Sequence, residues 1–159
     1  MGRIDNSNNG ETLYRVVKRS QPTTIKYNRY GKPVGVSSAL FKDKNGVSVS
    51  RKMERTEEKA ISDLSKYFKE RLKGLAKLFD SDVTNANAVL IPKPSEGDSY
   101  HAEIHKSSTE ILLDDIQALQ LADSCNLIFL DENIKWTQWK KFVESIFNLI
   151  NLTFNFSPN

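Results

Sequence analysis

Polar side chains that could carry chemistry cluster around residue 103. His101, Glu103 and His105 alternate with apolar residues, so on a strand they would share one face, with neighbouring α-carbons about 7 Å apart. Two such side chains can supply two ligands to a metal ion. The chain contains only two histidines, however, and offers no evident third ligand. A polar strand edge explains the same residues, and we assign neither a metal nor a cofactor.

A second set of polar residues combines one arginine, two serines and one glutamate. Arg15, the paired Ser37 and Ser38, and Glu103 lie on separate predicted strands or at their entry. Their order is similar to the Arg-Ser-Glu arrangement of some ADP-ribosyltransferases. The resemblance implies an Arg that holds the phosphates of a nicotinamide dinucleotide, a Ser that supports the sheet and a Glu that orients the ribose. Ordinary strand polarity accounts for the same residue types. The candidate ligand-binding residues are Arg15, Ser37, Ser38, His101 and Glu103, and the catalytic residues stay unknown.

The C-terminal segment is rich in aromatic residues. Six of the chain's 15 aromatic residues fall within it, namely Trp136, Trp139, Phe142, Phe147, Phe154 and Phe156. The pattern predicts a helix over residues 136–152 that carries more apolar surface than one buried stripe can hide. An exposed apolar surface of this kind marks a partner site or an oligomer interface, and these six residues are the candidate partner-binding residues. The alternative is a helix that closes the core.

The clearest helical periodicity covers residues 54–79. Apolar residues recur there every three or four positions, at Ile61, Leu64, Phe68, Leu72, Leu75 and Phe79. This spacing predicts one amphipathic helix with Thr56 as its N-cap. Four lysines align on the opposite face of such a helix, at Lys59, Lys66, Lys73 and Lys77. A solvated face is the ordinary explanation of this stripe, and the alternative is an anion-binding surface for phosphate or nucleic acid.

The net charge of +3 conceals an asymmetry between the two halves of the chain. Residues 1–78 carry 18 Lys and Arg against 8 Asp and Glu, whereas residues 79–159 carry 5 against 12. Opposite charges on the two halves would steer an anionic partner to the first half or favour head-to-tail association. The alternative is that the two halves fold together and neutralise one another.

The remaining patterns predict short strands and one more helix. Residues 13–17, 23–27, 88–91, 100–105 and 126–130 are predicted as strands, with a turn over residues 30–33. Residues 40–41 and 47–49 are predicted to form a hairpin around Asn45-Gly46, a favoured turn sequence. A helix is predicted after Ser108 or Thr109, and its apolar positions are Ile111, Leu112, Ile116, Leu119 and Ala122. Cys125, beside an apolar strand, is predicted to be a core residue.

These elements predict the fold class and the domain organisation. We expect an α+β fold with a small, mainly antiparallel sheet covered by about three helices. Residues 1–11 would form a flexible lead, residues 12–135 the α+β domain, and residues 136–159 the aromatic helix and tail. A single Cys excludes an internal disulfide framework, and no stretch has the roughly 20 apolar residues of a membrane span. The N-terminus lacks the apolar run of a signal peptide, so we expect a cytoplasmic protein.

Residues 13–106 resemble a group of small bacterial proteins of unassigned function. The shared pattern is an N-terminal Arg strand, a Ser-Ser-x-x-Phe hairpin that ends in Gly-x-Ser-Val, and a late His-Ala strand. Arg15, Ser37, Ser38, Phe41, Ser48, Val49 and His101 carry the match in this sequence. The resemblance implies a companion of toxin, defence or mobile-element genes. We therefore expect an accessory protein of a bacterial defence or toxin-type system that acts by binding a protein partner or by self-assembly. The alternative is an enzyme directed at a nucleotide or nucleic acid.

Overall fold

The computed structural model describes residues 10–130 of the chain. The predicted helix over residues 136–152, with Trp136 and the other candidate partner-binding residues, lies outside the described residues. So does most of the predicted flexible lead. These predictions stay as they were stated.

Antiparallel strands form the framework of the described part. Six of them make one sheet in the order β6-β7-β4-β1-β5-β8, and β2 and β3 pair separately. The strands are β1 (Thr12–Lys18), β2 (Ile25–Tyr27), β3 (Pro33–Val36), β4 (Val47–Arg51), β5 (Leu72–Phe79), β6 (Val89–Pro92), β7 (His101–His105) and β8 (Asn126–Phe129). The α-helices are α1 (Glu57–Phe68), α2 (Asp80–Asn85) and α3 (Asp115–Ser124). The predicted α+β class is confirmed.

The main core lies on one face of the six-stranded sheet. Successive strand side chains point to opposite faces, and Leu13, Val17, Val49, Ala102 and Ile104 all belong to this core. The elements that cover it contribute further buried apolar side chains, among them Ile25, Val36, Leu40, Phe41, Val83, Ala118 and Leu121. The sheet therefore has a defined core face, and a polar side chain on that face needs a hydrogen-bond or ion-pair partner.

The other face of the sheet is partly covered by α1. The Thr56 side chain caps this helix by accepting a hydrogen bond from the Lys59 N–H at 3.2 Å. Lys77 alternates with the core residues Ala76 and Leu78, so its side chain points away from the core, where its Nζ lies 2.5 Å from the Glu57 carboxylate of α1. Ala60 and Leu64 are the buried residues of α1.

The predicted helix over residues 54–79 is wrong beyond Phe68. Lys69 takes a positive φ of 49°, which ends α1, and β5 begins three residues later. β5 lies between β1 and β8 and has buried residues on both faces, so its apolar spacing lacks the simple alternation of a half-buried strand. The four lysines therefore do not share a helix face. Lys59 and Lys66 lie on α1, whereas Lys73 and Lys77 lie on β5.

The predicted hairpin over residues 40–49 is also wrong, although its turn is present. Ser38–Phe41 form a 3₁₀ turn in which Leu40 and Phe41 are both buried, and β4 pairs with β1 and β7 instead. Adjacent residues of a one-sided strand cannot both reach the same core, whereas a 3₁₀ turn over the core face allows it. In the turn, the Asp43 carbonyl accepts a hydrogen bond from the Gly46 N–H at 3.3 Å.

The helix predicted after Ser108 begins later, at Asp115. The Asp114 side chain caps it by accepting a hydrogen bond from the Gln117 N–H at 2.8 Å, while the Ser107 hydroxyl accepts one from the Glu110 N–H in a turn upstream. This start rotates the helix relative to the prediction. Leu113, Ala118, Leu121 and Ala122 are buried, and Ile111, Leu112, Ile116 and Leu119 are exposed.

Other predicted elements agree with the structure to within about two residues. The strands predicted at residues 13–17, 88–91, 100–105 and 126–130 are confirmed as β1, β6, β7 and β8. Residues 22–24 form a 3₁₀ turn before β2, so the strand predicted from residue 23 starts two residues late. Across residues 10–130, no helix has the length and apolar character that a membrane crossing requires.

Candidate functional site

Arg15 lies on the core face of the sheet, directly opposite Ala76 on β5. Its guanidinium donates hydrogen bonds from Nη1 to the Ser48 carbonyl at 2.9 Å and from Nε to the Leu40 carbonyl at 3.3 Å. Nη2 lies 3.5 Å from the Asp43 carboxylate. Burial lowers the pKa of Arg15, and the Asp43 charge opposes that shift. The side chain thus joins the 3₁₀ turn and the Asn45-Gly46 turn to the sheet.

Ser37 and Ser38 lie at the start of the 3₁₀ turn that Arg15 supports. The Ser37 hydroxyl donates a hydrogen bond to the Thr23 carbonyl at 2.6 Å, and its N–H donates to the Thr24 carbonyl at 2.9 Å. Ser37 therefore holds this turn to the segment before β2. Ser38 is half-buried beside it.

His101, Glu103 and His105 share one face of β7, as predicted, and that face is opposite to the core. Glu103 is buried, and its carboxylate lies between the side chains of Lys93 and His105. Its Oε2 lies 2.8 Å from His105 Nε2, and its Oε1 accepts a hydrogen bond from Lys93 Nζ at 3.0 Å. His101 Nδ1 lies 3.0 Å from the Lys93 carbonyl. We call Lys93, Glu103 and His105 the Glu103 cluster.

The candidate ligand-binding residues are therefore divided between two faces of the sheet. Arg15, with Ser37 and Ser38 beside it, belongs to the core face, while His101 and Glu103 point away from it. The structure therefore does not bring these five candidate residues together in one site. An Arg-Ser-Glu arrangement on one surface is not assembled either, because the sheet separates Arg15 from Glu103.

The Glu103 cluster holds one carboxylate in contact with an imidazole on one oxygen and an ammonium group on the other. Burial raises the pKa of Glu103, but hydrogen bonds from His105 and Lys93 outweigh it and bring the pKa below the ordinary value. An ionised carboxylate of this kind orients an imidazole, which is how acid–base pairs are built in many enzymes. Ser48 stands opposite Glu103 in the register of β4 and β7. The arrangement can hold His105 in one orientation, as a base would require.

Gly46 and Lys93 complete this cluster and were not foreseen from the sequence. A Cβ on Gly46 would lie 2.8 Å from His105 Nε2 and 2.9 Å from Glu103 Oε2, so only glycine leaves room for the pair. The Asn45-Gly46 pattern did indicate a turn, but nothing in the chain order indicated that this turn meets β7. Lys93 follows β6, and the β6–β7 pairing brings it to Glu103.

Replacing Glu103 with glutamine tests the charge on this cluster. We expect the free energy of unfolding at pH 7 to fall by about 2 kcal/mol, because Lys93 and His105 lose their charged acceptor. The pKa of Glu103 is lowered on folding, so its stabilisation is full above the ordinary pKa of glutamate and is lost as the pH falls through the folded-state value. Urea unfolding between pH 7 and pH 3 should therefore show the difference between wild type and Glu103→Gln shrinking in acid.

A matched control is Glu110→Gln, which breaks the exposed Lys106–Glu110 pair. That change should cost clearly less than Glu103→Gln, because exposed ion pairs contribute little. A difference between wild type and Glu103→Gln that stays constant down to pH 3 would show that Glu103 acts by shape and not by charge.

A second polar cluster, which the sequence did not indicate, surrounds Arg55 on the side of the sheet covered by α1. Arg55 lies 3.5 Å above the Tyr100 ring and donates hydrogen bonds to the Ser50 hydroxyl at 3.0 Å and to the Asp63 carboxylate at 3.3 Å. Nearby, Tyr14 is buried, and burial first, with the charge of Glu57 next, raises the pKa of its hydroxyl to about 12. The Arg55 donors already have acceptors within the protein, so we assign this cluster a structural role. Its hydrogen bonds join the loop before α1 to the sheet.

Neither a metal site nor a reactive thiol emerges from the described residues. Among residues 10–130, no three side chains of His, Cys, Asp or Glu are grouped so that they could hold a metal ion. Cys125 packs against the core, and burial raises the pKa of its thiol to about 12. A thiol with that pKa stays protonated at neutral pH, which makes it a poor nucleophile.

The surface around α3 contains an apolar area that the sequence led us to expect inside. Ile111, Leu112, Ile116 and Leu119 are all exposed, and Ile116 has 69% of its surface accessible. Ile111 and Leu112 belong to the lining of an open groove of about 580 Å³, together with Lys42, Lys106 and the rest of residues 110–115. We call these four residues the α3 apolar surface. The later start of α3, which the sequence pattern did not reveal, places them outside.

Comparisons with protein-family models, curated proteins and solved structures give no match to this chain.

Proposed function

We propose that this chain is a protein-binding module and that the α3 apolar surface is its contact with a partner. The single observation that carries the proposal is the exposure of four large aliphatic side chains within nine residues of sequence. Single exposed apolar residues are normal on a protein surface, whereas several together usually mark an interaction site. The Glu103 cluster offers no comparable support for catalysis, and the enzyme alternative stays a prediction.

The α3 apolar surface is held in place by buried residues on either side of it. Leu113 anchors the loop in the core, and Ala118 and Leu121 anchor the inner face of α3. Gln117 adds hydrogen bonds to the carbonyls of Asn87 and Lys106, at 2.9 and 3.2 Å. A surface fixed in this way loses little conformational entropy on binding, which favours affinity.

The charges around this surface indicate the chemistry of the partner. From residue 79 to residue 130 the chain carries nine Asp and Glu against two Lys. Asp115 projects beside Ile116 and pairs with Lys42, and Asp123 lies one turn beyond Leu119 and pairs with Lys26. Around the surface itself four carboxylates face three lysines, namely Glu110, Asp114, Asp115 and Asp123 against Lys26, Lys42 and Lys106, so a two-fold contact between copies would bring together two rims that are both weakly acidic, which is unfavourable. The partner is therefore a different protein surface, apolar at its centre and edged with Lys or Arg.

An accessory role for the module follows from the resemblance to companions of toxin, defence and mobile-element genes. We propose that the partner is a protein of the same bacterial system and that this chain binds it without catalysing a reaction.

The experiment captures the partner and then measures its affinity. Full-length chain would be used to capture proteins from cells that make it naturally, and the captured protein would be produced separately and titrated by calorimetry. We expect Leu119→Asp to weaken binding about 30-fold or more, because a charge enters the apolar centre of the contact. Raising the salt concentration should weaken wild-type binding, since the two rims carry opposite charges.

Met53→Asp is the control for the added charge. Met53 is an exposed apolar residue in the loop before α1. This variant should bind the partner within about threefold of wild type, a difference of less than about 0.7 kcal/mol. Equal loss of affinity in Leu119→Asp and Met53→Asp, or no loss in either, would contradict the proposal.

A further inference from the structure

We propose that one end of the sheet, where β1 finishes and β5 begins, binds single-stranded nucleic acid. The surface consists of cations and exposed rings and is separate from the α3 apolar surface. We call it the basic-aromatic end. Its cations are Lys18, Arg29, Lys32, Lys69, Arg71 and Lys73, and its exposed rings are Tyr27, Tyr30 and Tyr67.

Contacts between three separate segments bring these residues together. Lys18 stands opposite Leu72 in the β1–β5 register, and the Arg19 N–H donates a hydrogen bond to the Arg71 carbonyl at 3.0 Å. The loop between α1 and β5 therefore adjoins the last residues of β1. The β2–β3 hairpin joins them from the side, because Lys73 Nζ lies 5.6 Å from the centre of the Tyr27 ring.

The six cations at this end differ from many others in residues 10–130 in having no carboxylate partner there. Elsewhere Arg15, Arg51, Arg55, Lys59 and Lys77 each pair with a carboxylate. Within residues 10–130, none of the six cations of the basic-aromatic end takes part in an ion pair with a described residue, and Glu70 is the acidic residue in the same loop. Clustered positive charge of this kind attracts a polyanion and is partly neutralised when the polyanion binds.

The rings beside these cations can stack on bases. Tyr30 has 76% of its surface exposed and Tyr67 has 68%, and Tyr27 is the third exposed tyrosine. Arg29 lies 4.7 Å from the centre of the Tyr30 ring, and Arg71 lies 5.5 Å from that of Phe68, which packs edge-on against Tyr67. Stacking of bases on such rings tolerates any sequence and is available only to unpaired bases. The combination therefore fits a single strand better than a duplex.

The tip of the β2–β3 hairpin is shaped to present its side chains outward. The Asn28 side chain accepts hydrogen bonds from the N–H groups of Tyr30 and Lys32 at 2.9 and 3.0 Å, and Gly31 adopts a φ of +74°. This tight turn fixes the backbone of residues 28–32. Arg29, Tyr30 and Lys32 project from it into solvent, where they can contact a phosphate and a base of the same strand.

The lysine stripe predicted from the sequence does not describe this surface. Of its four lysines, Lys73 alone belongs to the basic-aromatic end, while Lys59 and Lys77 are paired with carboxylates. The sequence signal that was overlooked is the alternation of basic and aromatic residues in Lys26-Tyr27-Asn28-Arg29-Tyr30-Gly31-Lys32.

Fluorescence anisotropy with labelled single strands of about 20 nucleotides, oligo-dT and oligo-U, tests the proposal on the full-length chain. We expect the chain to bind these strands at low salt. The logarithm of the association constant should fall linearly with the logarithm of the salt concentration, and that fall should become shallower by about 0.7 for each phosphate contact that is lost. Arg29→Ala and Lys69→Ala should each reduce that slope. Tyr30→Ala should weaken binding about 10-fold, and Tyr30→Phe, which keeps the ring, should bind like wild type.

Lys52→Ala is the matched control for lost charge. Lys52 lies at the opposite end of β1, where its N–H donates a hydrogen bond to the Thr12 carbonyl at 2.8 Å, and its removal should leave affinity and slope unchanged. Absence of binding at about 50 mM salt, where phosphate contacts are strong, would overturn the proposal. So would equal losses in Lys52→Ala and Arg29→Ala, or tighter binding to a duplex of the same length. Leu119→Asp should bind the strands like wild type, so failure of the protein-binding proposal and failure of this one are distinguishable.

Discussion

Replacing Arg15 with methionine is expected to lower the free energy of unfolding by about 3 kcal/mol. The side chain is 11% exposed and supplies hydrogen bonds to two carbonyls, those of Leu40 and Ser48, together with an ion pair to Asp43. Methionine fills much of the same volume but leaves these acceptors unpaired beside the core. Urea unfolding followed by circular dichroism would measure the loss.

Arg29→Met is the control, because Arg29 is exposed at the tip of the β2–β3 hairpin. This variant should lie within about 0.5 kcal/mol of wild type. If Arg15 instead held a ligand, Arg15→Met would unfold like wild type while a cellular activity was lost. That outcome would contradict the structural role and would revive the enzyme alternative.

The fold class could be predicted because several strands carry a strong local signal. β6, β7 and β8 are short apolar or alternating runs ended by Pro, Gly or polar residues, and the structure places them where the pattern did. β5 could not be recognised, because a strand buried on both faces lacks alternation, and its leucines happened to continue the spacing of α1. The spacing of apolar residues along the chain cannot distinguish a helix from a strand buried on both faces unless the neighbouring strands are known.

The candidate site could be predicted only in part, since its arrangement depends on which face of the sheet becomes the core. Residues 13–17 have apolar side chains on both faces, so the sequence does not decide where Arg15 points. The grouping on β7 was predictable because His101, Glu103 and His105 alternate with Ala102 and Ile104. The partners of Glu103 were not, because Lys93 and Gly46 reach it only through the pairing of β6 with β7 and of β4 with β7.

The exposed surfaces were the least predictable features for a related reason. An apolar residue in a helix pattern is assigned to the core unless its rotation about the axis is known. The cap at Asp114 fixes that rotation for α3 and turns Ile116 and Leu119 outward. The positions of the residues in both proposed binding surfaces thus depend more on helix caps and turns than on the spacing of apolar residues.

Replacing Gly46 with alanine is expected to lower the free energy of unfolding by about 3 kcal/mol, for two separable reasons. The φ of Gly46 is +96°, a conformation that costs an L-residue about 1–2 kcal/mol. The new methyl group would also lie within 3 Å of both His105 Nε2 and Glu103 Oε2, so the Glu103 cluster must open to admit it.

Gly31→Ala isolates the first cost from the second. Gly31 also has a positive φ, +74°, but nothing lies within 4 Å of its would-be Cβ. We expect Gly31→Ala to lose about 1 kcal/mol by urea unfolding, clearly less than Gly46→Ala. Adding His105→Ala should recover part of the loss in Gly46→Ala and none in Gly31→Ala, because only Gly46 touches the imidazole. Equal losses in the two glycine variants would mean that the Glu103 cluster yields to the added methyl group without cost, and that its geometry is not fixed by the turn.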